Sequence, residues 1–166
     1  MYNAISVFEI PTYKIPSDIE IVKGFILKDE KNRLIGRIAA FIDYKTSATQ
    51  DQPTGGIGFF ECIDNQEAAN LLFDTAKDWL IDNNMAAMDG PINFGERDRW
   101  WGLLVEGFQP PVYCLNYNPP YYKSLFENYG FKNFYNQICF GLDPKKEVSQ
   151  KIMERHANLA ANPDYS

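Results

Sequence analysis

Cysteine is scarce in this sequence: Cys62, Cys114 and Cys139 are the three present in 166 residues. Their number is odd and they lie far apart, so there is neither a disulfide framework nor a zinc-ligand spacing. The pattern is that of small buried thiols in a reducing compartment. Positive charge is also short, with 16 Lys and Arg against 22 Asp and Glu, a net charge of −6 and a pI near 4.8. An acidic surface attracts neither nucleic acid nor an anionic membrane, which excludes both as the expected main partner. Long hydrophobic runs are missing: no stretch stays apolar for roughly 18 residues, and no basic N-terminal region leads into an apolar one. The expected location is therefore the cytoplasm. There is no internal repeat. What is abundant is apolar surface, 45% hydrophobic and 15% aromatic residues, enough for one full core and too little chain for a second domain of ordinary size.

The chain is organised around Gly55 to Ile92. Gly55 to Asp64 is apolar and aromatic in its second half and bounded by glycines, which predicts a centrally buried strand. Asp64-Asn65-Gln66-Glu67 has capping-box spacing, so a helix starts at once. Ala68, Ala69, Leu72, Ala76, Trp79 and Leu80 then recur at helical spacing, with polar residues elsewhere on the wheel. The helix stops at Asn83-Asn84, and Met85 to Ile92 is apolar enough for a second buried strand, which completes a βαβ unit. Backbone amides at a helix start beside a strand end are a common place to hold a phosphate.

Upstream, Ala4 to Ile10 alternates weakly, and Pro11 to Asp18 reads as a loop or sheet edge. Glu20 to Lys28 and Arg33 to Asp43 predict an antiparallel pair joined by the polar turn Asp29-Glu30-Lys31-Asn32. Tyr44 to Thr54 reads as a mobile surface loop. Downstream, Asn93 to Pro120 is a long segment of the kind that is usually functional. Within it Val112 to Tyr117 predicts a strand. A helix begins at the prolines at 119 and 120, since proline is tolerated in a first turn, carries Tyr121, Tyr122, Leu125 and Phe126, and is capped by Gly130. Phe131 to Leu142 predicts a last strand, and Lys145 to Ala161 a last helix.

This order of elements resembles the GNAT superfamily of N-acetyltransferases. Leu125-Phe126-Glu127-Asn128-Tyr129-Gly130-Phe131 is similar to that family's Leu-Tyr-Glu-Lys-x-Gly-Phe signature, and Gly36-Arg37-Ile38-Ala39-Ala40 to its glycine-containing second or third strand. Gly-Arg-Ile-Ala-Ala, Gly-Phe-Phe-Glu, Gly-Pro-Ile-Asn and Tyr-Asn-Pro-Pro-Tyr-Tyr together resemble a bacterial group of GNAT-like proteins whose members are longer. The resemblance implies an α/β fold of the α+β kind, a mixed twisted sheet of six or seven strands flanked by helices. It assigns residues 1–142 to the GNAT-like domain and 143–166 to a C-terminal helix and tail that begin a missing segment. The central strands are expected to splay after Ile63 and Met88, where pantetheine lies in the family. Two positions depart from the pattern. The family's Arg/Gln-x-x-Gly-x-Gly/Ala phosphate loop is replaced by Asp64 to Ala69, whose acidic side chains compete with a phosphate at about 1 kcal/mol each. The family's frequent tyrosine acid is replaced by Phe126.

The implied activity is acyl transfer from acetyl-CoA to a small amine; the alternative is a catalytically silent GNAT-fold module that binds a ligand or a second domain. The implied cofactor residues are Cys62, Ile63, Asp64, Asn65, Gln66 and Ala68, with Asn118. Amine acylation needs a base, a donor for the thioester carbonyl and an acid for the thiolate. Glu61 is the base candidate, and among Phe59, Phe60 and Ile63 it is expected to have a raised pKa; otherwise it pairs with an arginine such as Arg37. Tyr121 and Tyr122 are the acid candidates, and as neighbours on a helix at most one is expected to reach the cleft; otherwise they are core aromatics. Arg97, Arg99, Trp100 and Trp101 are substrate candidates, since arginines grip an anion and tryptophans wall a cleft. They serve equally well as an ion-pair cluster and a packing plug. Asn93 is a substrate candidate or a turn residue, as Asn118 is a ligand or a cap residue. Cys114 and Cys139 are expected to be buried thiols, and His156 to be solvated. No metal is expected. Val148, Ile152, Leu159 and Ala160 are spaced too irregularly to cover one domain face. They are expected to leave an apolar patch that docks against a missing part or a second copy of the chain, as in a homodimer.

Overall fold

The computed structural model describes residues 6–10, 21–47, 51–92, 102–111, 115–134, 136–141, 143 and 145–162. The chain divides into two compact units, Met1–Lys132 and Asn133–Ser166. The first unit contains β1 (Ser6–Ile10), β2 (Ile21–Lys28), β3 (Leu34–Ile42), α1 (Tyr44–Ser47), β4 (Thr54–Cys62), α2 (Gln66–Asp82), β5 (Ala87–Asp89) and α3 (Tyr122–Tyr129). Its sheet has the order β1-β2-β3-β4-β5. The first four strands run antiparallel and β5 runs parallel to β4. The protein is thus mixed α/β, with an open mixed sheet.

The hairpin between β2 and β3 shows how local chemistry sets the register. Asp29 accepts at Oδ1 from the N–H groups of Lys31 and Arg33, and at Oδ2 from the Arg33 guanidinium at 2.7 Å. That guanidinium holds the Asp29 carboxyl below its usual range. Asn32 takes the left-handed turn position at φ 58°.

Helix α2 packs on the sheet through Ala68, Ala69, Leu72, Phe73, Ala76 and Leu80. Gly36 and Gly55 give it room, because a Cβ at either would run into Leu72 or Leu80. The largest fully buried side chain among the described residues is Phe73, absent from the predicted apolar face. Its ring lies 4.9 Å from Phe60, 4.7 Å from Phe126 and 5.3 Å from Phe131. This cluster joins β4, α2 and α3. Trp79, predicted on the buried face, packs only partly against the core.

Several expectations change. Among the described residues there are five strands rather than six or seven. The described part of Phe131 to Leu142 forms no strand, and Phe131 turns into the aromatic cluster instead. Of Val112 to Tyr117, the described 115–117 are not a strand either. The expected mobile loop at Tyr44 to Thr54 opens with α1, whose Ser47 is buried. Helix α2 is capped by Asn65 and not by Asp64: Asn65 Oδ1 accepts from Ala68 N–H at 2.8 Å, so the third helical position is Ala68 and Glu67 closes no capping box.

In the second unit, α4 (Gln150–Ala160) begins five residues later than predicted and buries none of its residues. Cys139 is exposed, contrary to the expected buried thiol, since the strand that would have covered it does not form. His156 is exposed as expected. Among the described residues no helix is long and apolar enough to cross a membrane.

Candidate functional site

Among the described residues, strand β4 has a neighbour on both sides only over its first half. Thr54, Gly55 and Gly56 pair with Ala87, Met88 and Asp89 of β5, and Ile57 C=O accepts a last bond from Ile92 N–H at 2.6 Å. Beyond Ile57 no β5 ladder bond forms among the described residues. The pairing therefore parts well before Ile63, where the splay was expected to begin. On its other side β4 stays paired with β3, but through a bulge. Arg37 pairs with Glu61 and Ala39 with Gly58, so Phe59 and Phe60 together face Ile38. Phe59 takes φ 50°, a conformation that a bulky side chain adopts only under constraint. The bulge sets Phe60 onto the α2 side, against Phe73, and Glu61 onto the opposite face.

The end of β4 is closed by two phenols. Ile63 N–H bonds Ile35 C=O on the β3 side, which turns the N–H and C=O of Cys62 toward the side β5 has left. There Cys62 N–H donates to the Tyr122 hydroxyl at 3.1 Å, and the Tyr121 hydroxyl donates to Cys62 C=O at 2.8 Å. Both candidate tyrosines therefore reach the same residue, where at most one was expected to reach the cleft. Tyr121 is the N-cap of α3 and Tyr122 its first residue, and their long side chains converge on the two different backbone groups of Cys62. Burial holds both phenols above the usual range, and at Tyr122 the Cys62 N–H works the other way by stabilising the phenolate. Tyr121 has committed its proton to a carbonyl. Tyr122 accepts at its oxygen, so that bond leaves its proton available. Burial also pushes the Cys62 thiol up to about 11, which makes it a poor nucleophile.

Glu61 is not buried among aromatics. Its carboxylate bonds Arg37 at 2.8 Å, and the two side chains are 64% and 46% exposed. The alternation of β4 places Phe60 inside and Glu61 outside, so the desolvation expected of Glu61 is absent.

Most of the expected cofactor residues have their polar atoms engaged. Gln66 Nε2 donates to Leu125 C=O at 3.0 Å and to Asn70 Oδ1, and Gln66 Oε1 accepts from Asn128, so Gln66 ties α2 to α3. Asn65 is a cap, and Ala68 is fully buried. Cys62 is buried, and Ile63 packs against the core. Asp64 and the neighbouring Glu67 are exposed carboxylates. Asn118 pairs with Leu104 as a strand would, Oδ1 accepting from its N–H at 2.8 Å and Nδ2 donating to its C=O at 3.1 Å. Sequence reasoning missed that role; the signal was a lone buried asparagine opposite an irregular segment. The start of α2 does not fit a pyrophosphate, because a side chain takes one amide and two exposed carboxylates stand nearby.

Asn93, Arg97, Arg99, Trp100 and Trp101 lie outside the described residues, as does Cys114. The segment that holds the first five begins and ends at one place, because Gly102 N–H bonds Pro91 C=O at 2.8 Å next to the last β4 contact. A small cavity bounded by Phe41, Asp43, Gly56, Asp89 and Ile92 holds at most about one water. Among the described residues no cluster of His, Cys, Asp and Glu could hold a metal ion.

The chain is similar to Protein YghO of Escherichia coli K12. The identity is 28% over 119 residues, covering 71% of this chain and 30% of YghO. The chain therefore spans less than a third of that relative, and the likeness is too distant to place it in a family. No known family profile matches. No solved structure matches.

Proposed function

We propose that the protein is an acyl-CoA-dependent N-acyltransferase of the GNAT type, acting on a small amine. The observation that carries this is the second half of β4, released from β5 after Ile57 beside the start of α2, with the Tyr122 hydroxyl at its end. The thioester supplies the acyl group: a C–N bond forms from the amine to its carbonyl carbon as the C–S bond breaks. The thiolate takes up one proton and the amine gives up one. Tyr122 is the residue suited to give the proton, since its phenol is held neutral by burial while Cys62 N–H stabilises the phenolate left behind. Tyr121 orients the strand end by holding Cys62 C=O. Glu61 takes the amine proton directly or through water, released from Arg37 as the amine arrives. The start of α2 offers no grip for the donor's phosphates, and Arg97 and Arg99, the candidates from the sequence, would pair with an anionic group on either substrate.

The second reading, a catalytically silent GNAT-fold binding module, draws on Phe126 and Glu61. Phe126 stands in the aromatic cluster with no proton to give, and Glu61 is engaged by Arg37. Titration calorimetry with acetyl-CoA separates the readings in combination with thiol release in the presence of a panel of amines. Binding with turnover supports the enzyme, binding without turnover supports the silent module, and no heat at millimolar ligand sinks the enzyme.

A further inference from the structure

Among the described residues, Asn118 is a buried polar side chain that closes no hairpin and caps no helix. Burying an amide costs free energy unless its groups are paired, and both hydrogens of its Nδ2 are in use. One goes to Leu104 C=O at 3.1 Å and one to Pro119 C=O at 3.0 Å, while Oδ1 accepts from Leu104 N–H at 2.8 Å. The two bonds to Leu104, fourteen positions back, hold the side chain in one orientation.

The third bond connects Asn118 to the phenols. Pro119 C=O also accepts from the N–H of Tyr122 at 3.2 Å, in the turn that leads into α3. The Asn118 amide and the Tyr122 backbone therefore meet on one oxygen. Prolines at 119 and 120 bring no N–H of their own to this turn, and Tyr121 makes no side-chain cap bond. The entry to α3 is thus held from two ends, by Asn118 on one side and by the bonds of Tyr121 and Tyr122 to Cys62 on the other. A continuous path runs from Leu104 through the Asn118 amide, Pro119 C=O and Tyr122 N–H to the Tyr122 hydroxyl and Cys62 N–H.

A cofactor role, which the family resemblance implies for Asn118, suits this geometry poorly. A ligand that takes a hydrogen from its amide has to break a bond that is already made in a buried place.

We infer that Asn118 is a positioning residue for Tyr122: it holds the entry to α3 so that the phenol stays on Cys62 N–H, and it touches no substrate. Its bearing on catalysis rests on the acyl transfer proposed above; the positioning itself does not.

Two measurements on the full chain test this, and one of them needs no substrate. In the first, amide hydrogen exchange at Cys62 is read by NMR in the wild type, in Asn118→Ala and in Asn118→Asp, which keeps the acceptor for Leu104 N–H and loses the Nδ2 donors. Exchange at Cys62 is expected to rise about tenfold or more in both variants, with the amides of β2 and β3 within about twofold of the wild type. Unchanged exchange at Cys62 overturns the inference. An equal rise across β2 and β3 also overturns it, since that is a general loss of stability. In the second, thiol release from acetyl-CoA is followed in a cycle of Asn118→Ala and Tyr122→Phe. Asn118→Ala alone should lower kcat about tenfold or more with KM for acetyl-CoA within about twofold, and should lower kcat by less than about twofold once Tyr122→Phe is present. Losses that simply multiply overturn the inference, as does a raised KM with kcat unchanged, which returns Asn118 to ligand binding. If Asn118→Ala does not fold, Asn118→Asp carries both measurements. A wild type without turnover counts against the proposed activity alone, and exchange at Cys62 then decides the positioning by itself.

Discussion

The two halves of β4 are built on different rules. From Thr54 to Ile57 the strand has a neighbour on each side and side chains seated over its glycines, Leu80 over Gly55 and Phe41 over Gly56. From Phe59 to Cys62 it has one strand neighbour among the described residues, through a bulge, and the backbone of Cys62 is met by two hydroxyl groups. The first half is thus held by strands, and the end of the second by side chains that can let go. The change falls where β5 leaves, and under the proposed function that second half is the reaction surface.

The largest effect is expected where the second half hangs on the aromatic cluster. Phe73→Ala should cost about 3–5 kcal/mol in urea unfolding, because Phe73 is what seats Phe60, Phe126 and Phe131. A loss under about 1 kcal/mol would mean that β4 is held by its ladder alone. In the first half, Gly56→Val should destabilise by about 1–3 kcal/mol by forcing Phe41 aside. If it is silent, that half is looser than its pairing indicates.

The phenols should differ from each other. Tyr122→Phe strands a buried N–H and is expected to cost about 1–3 kcal/mol, and it should lower acyl transfer more than Tyr121→Phe does. Tyr121→Phe leaves a carbonyl with another lone pair and should cost less in the same unfolding experiment. Equal losses of activity in the two variants would remove Tyr122 from its role as acid.

A pH series addresses the same residues together. The Cys62 thiol and both phenols are raised in the folded state. Below the unfolded pKa values they are protonated whether the chain is folded or not, so their contribution is fully present. As pH rises, the unfolded chain ionises first, and stability should fall from about pH 9 through 11 and beyond. Cys62→Ala should flatten the first part of that fall; a melting temperature that is constant from pH 8 to 11 would contradict the burial of all three groups. The smallest effect belongs to Glu61→Gln. An exposed pair contributes roughly 0.2–1 kcal/mol, so unfolding should hardly change, while acyl transfer falls if the carboxylate takes the amine proton.

Periodic signals made much of the fold legible. The strand runs of β2, β3 and β4 with the polar turn between the first two, the apolar spacing of α2 and the Gly130 cap of α3 are all local, and these strands and α2 stand within a residue or two of their expected bounds. What escaped depends on contacts distant in sequence. The bulge at Phe59 leaves no mark in composition, since a phenylalanine is an unfavourable residue for φ 50°. The meeting of Tyr121 and Tyr122 at Cys62 spans about sixty residues, and Phe73 earns its central place only once α3 is folded against α2. Asn65 and Gln66 were read toward a ligand because helix starts hold phosphates. Here their side chains serve the helix and its neighbour instead.

The bond between Gly102 N–H and Pro91 C=O has a further consequence. It joins the chain to itself across the intervening residues, and Asn116 and Asn118 hold the exit at Gly102 and Leu104. The two flanks of residues 93–101 are thus fixed by bonds made outside them, so doubling the length of chain between Ile92 and Gly102 is expected to cost only about 0.6 kcal/mol in closure entropy. That makes this stretch the place to test how much new sequence the chain accepts while its strands keep their register.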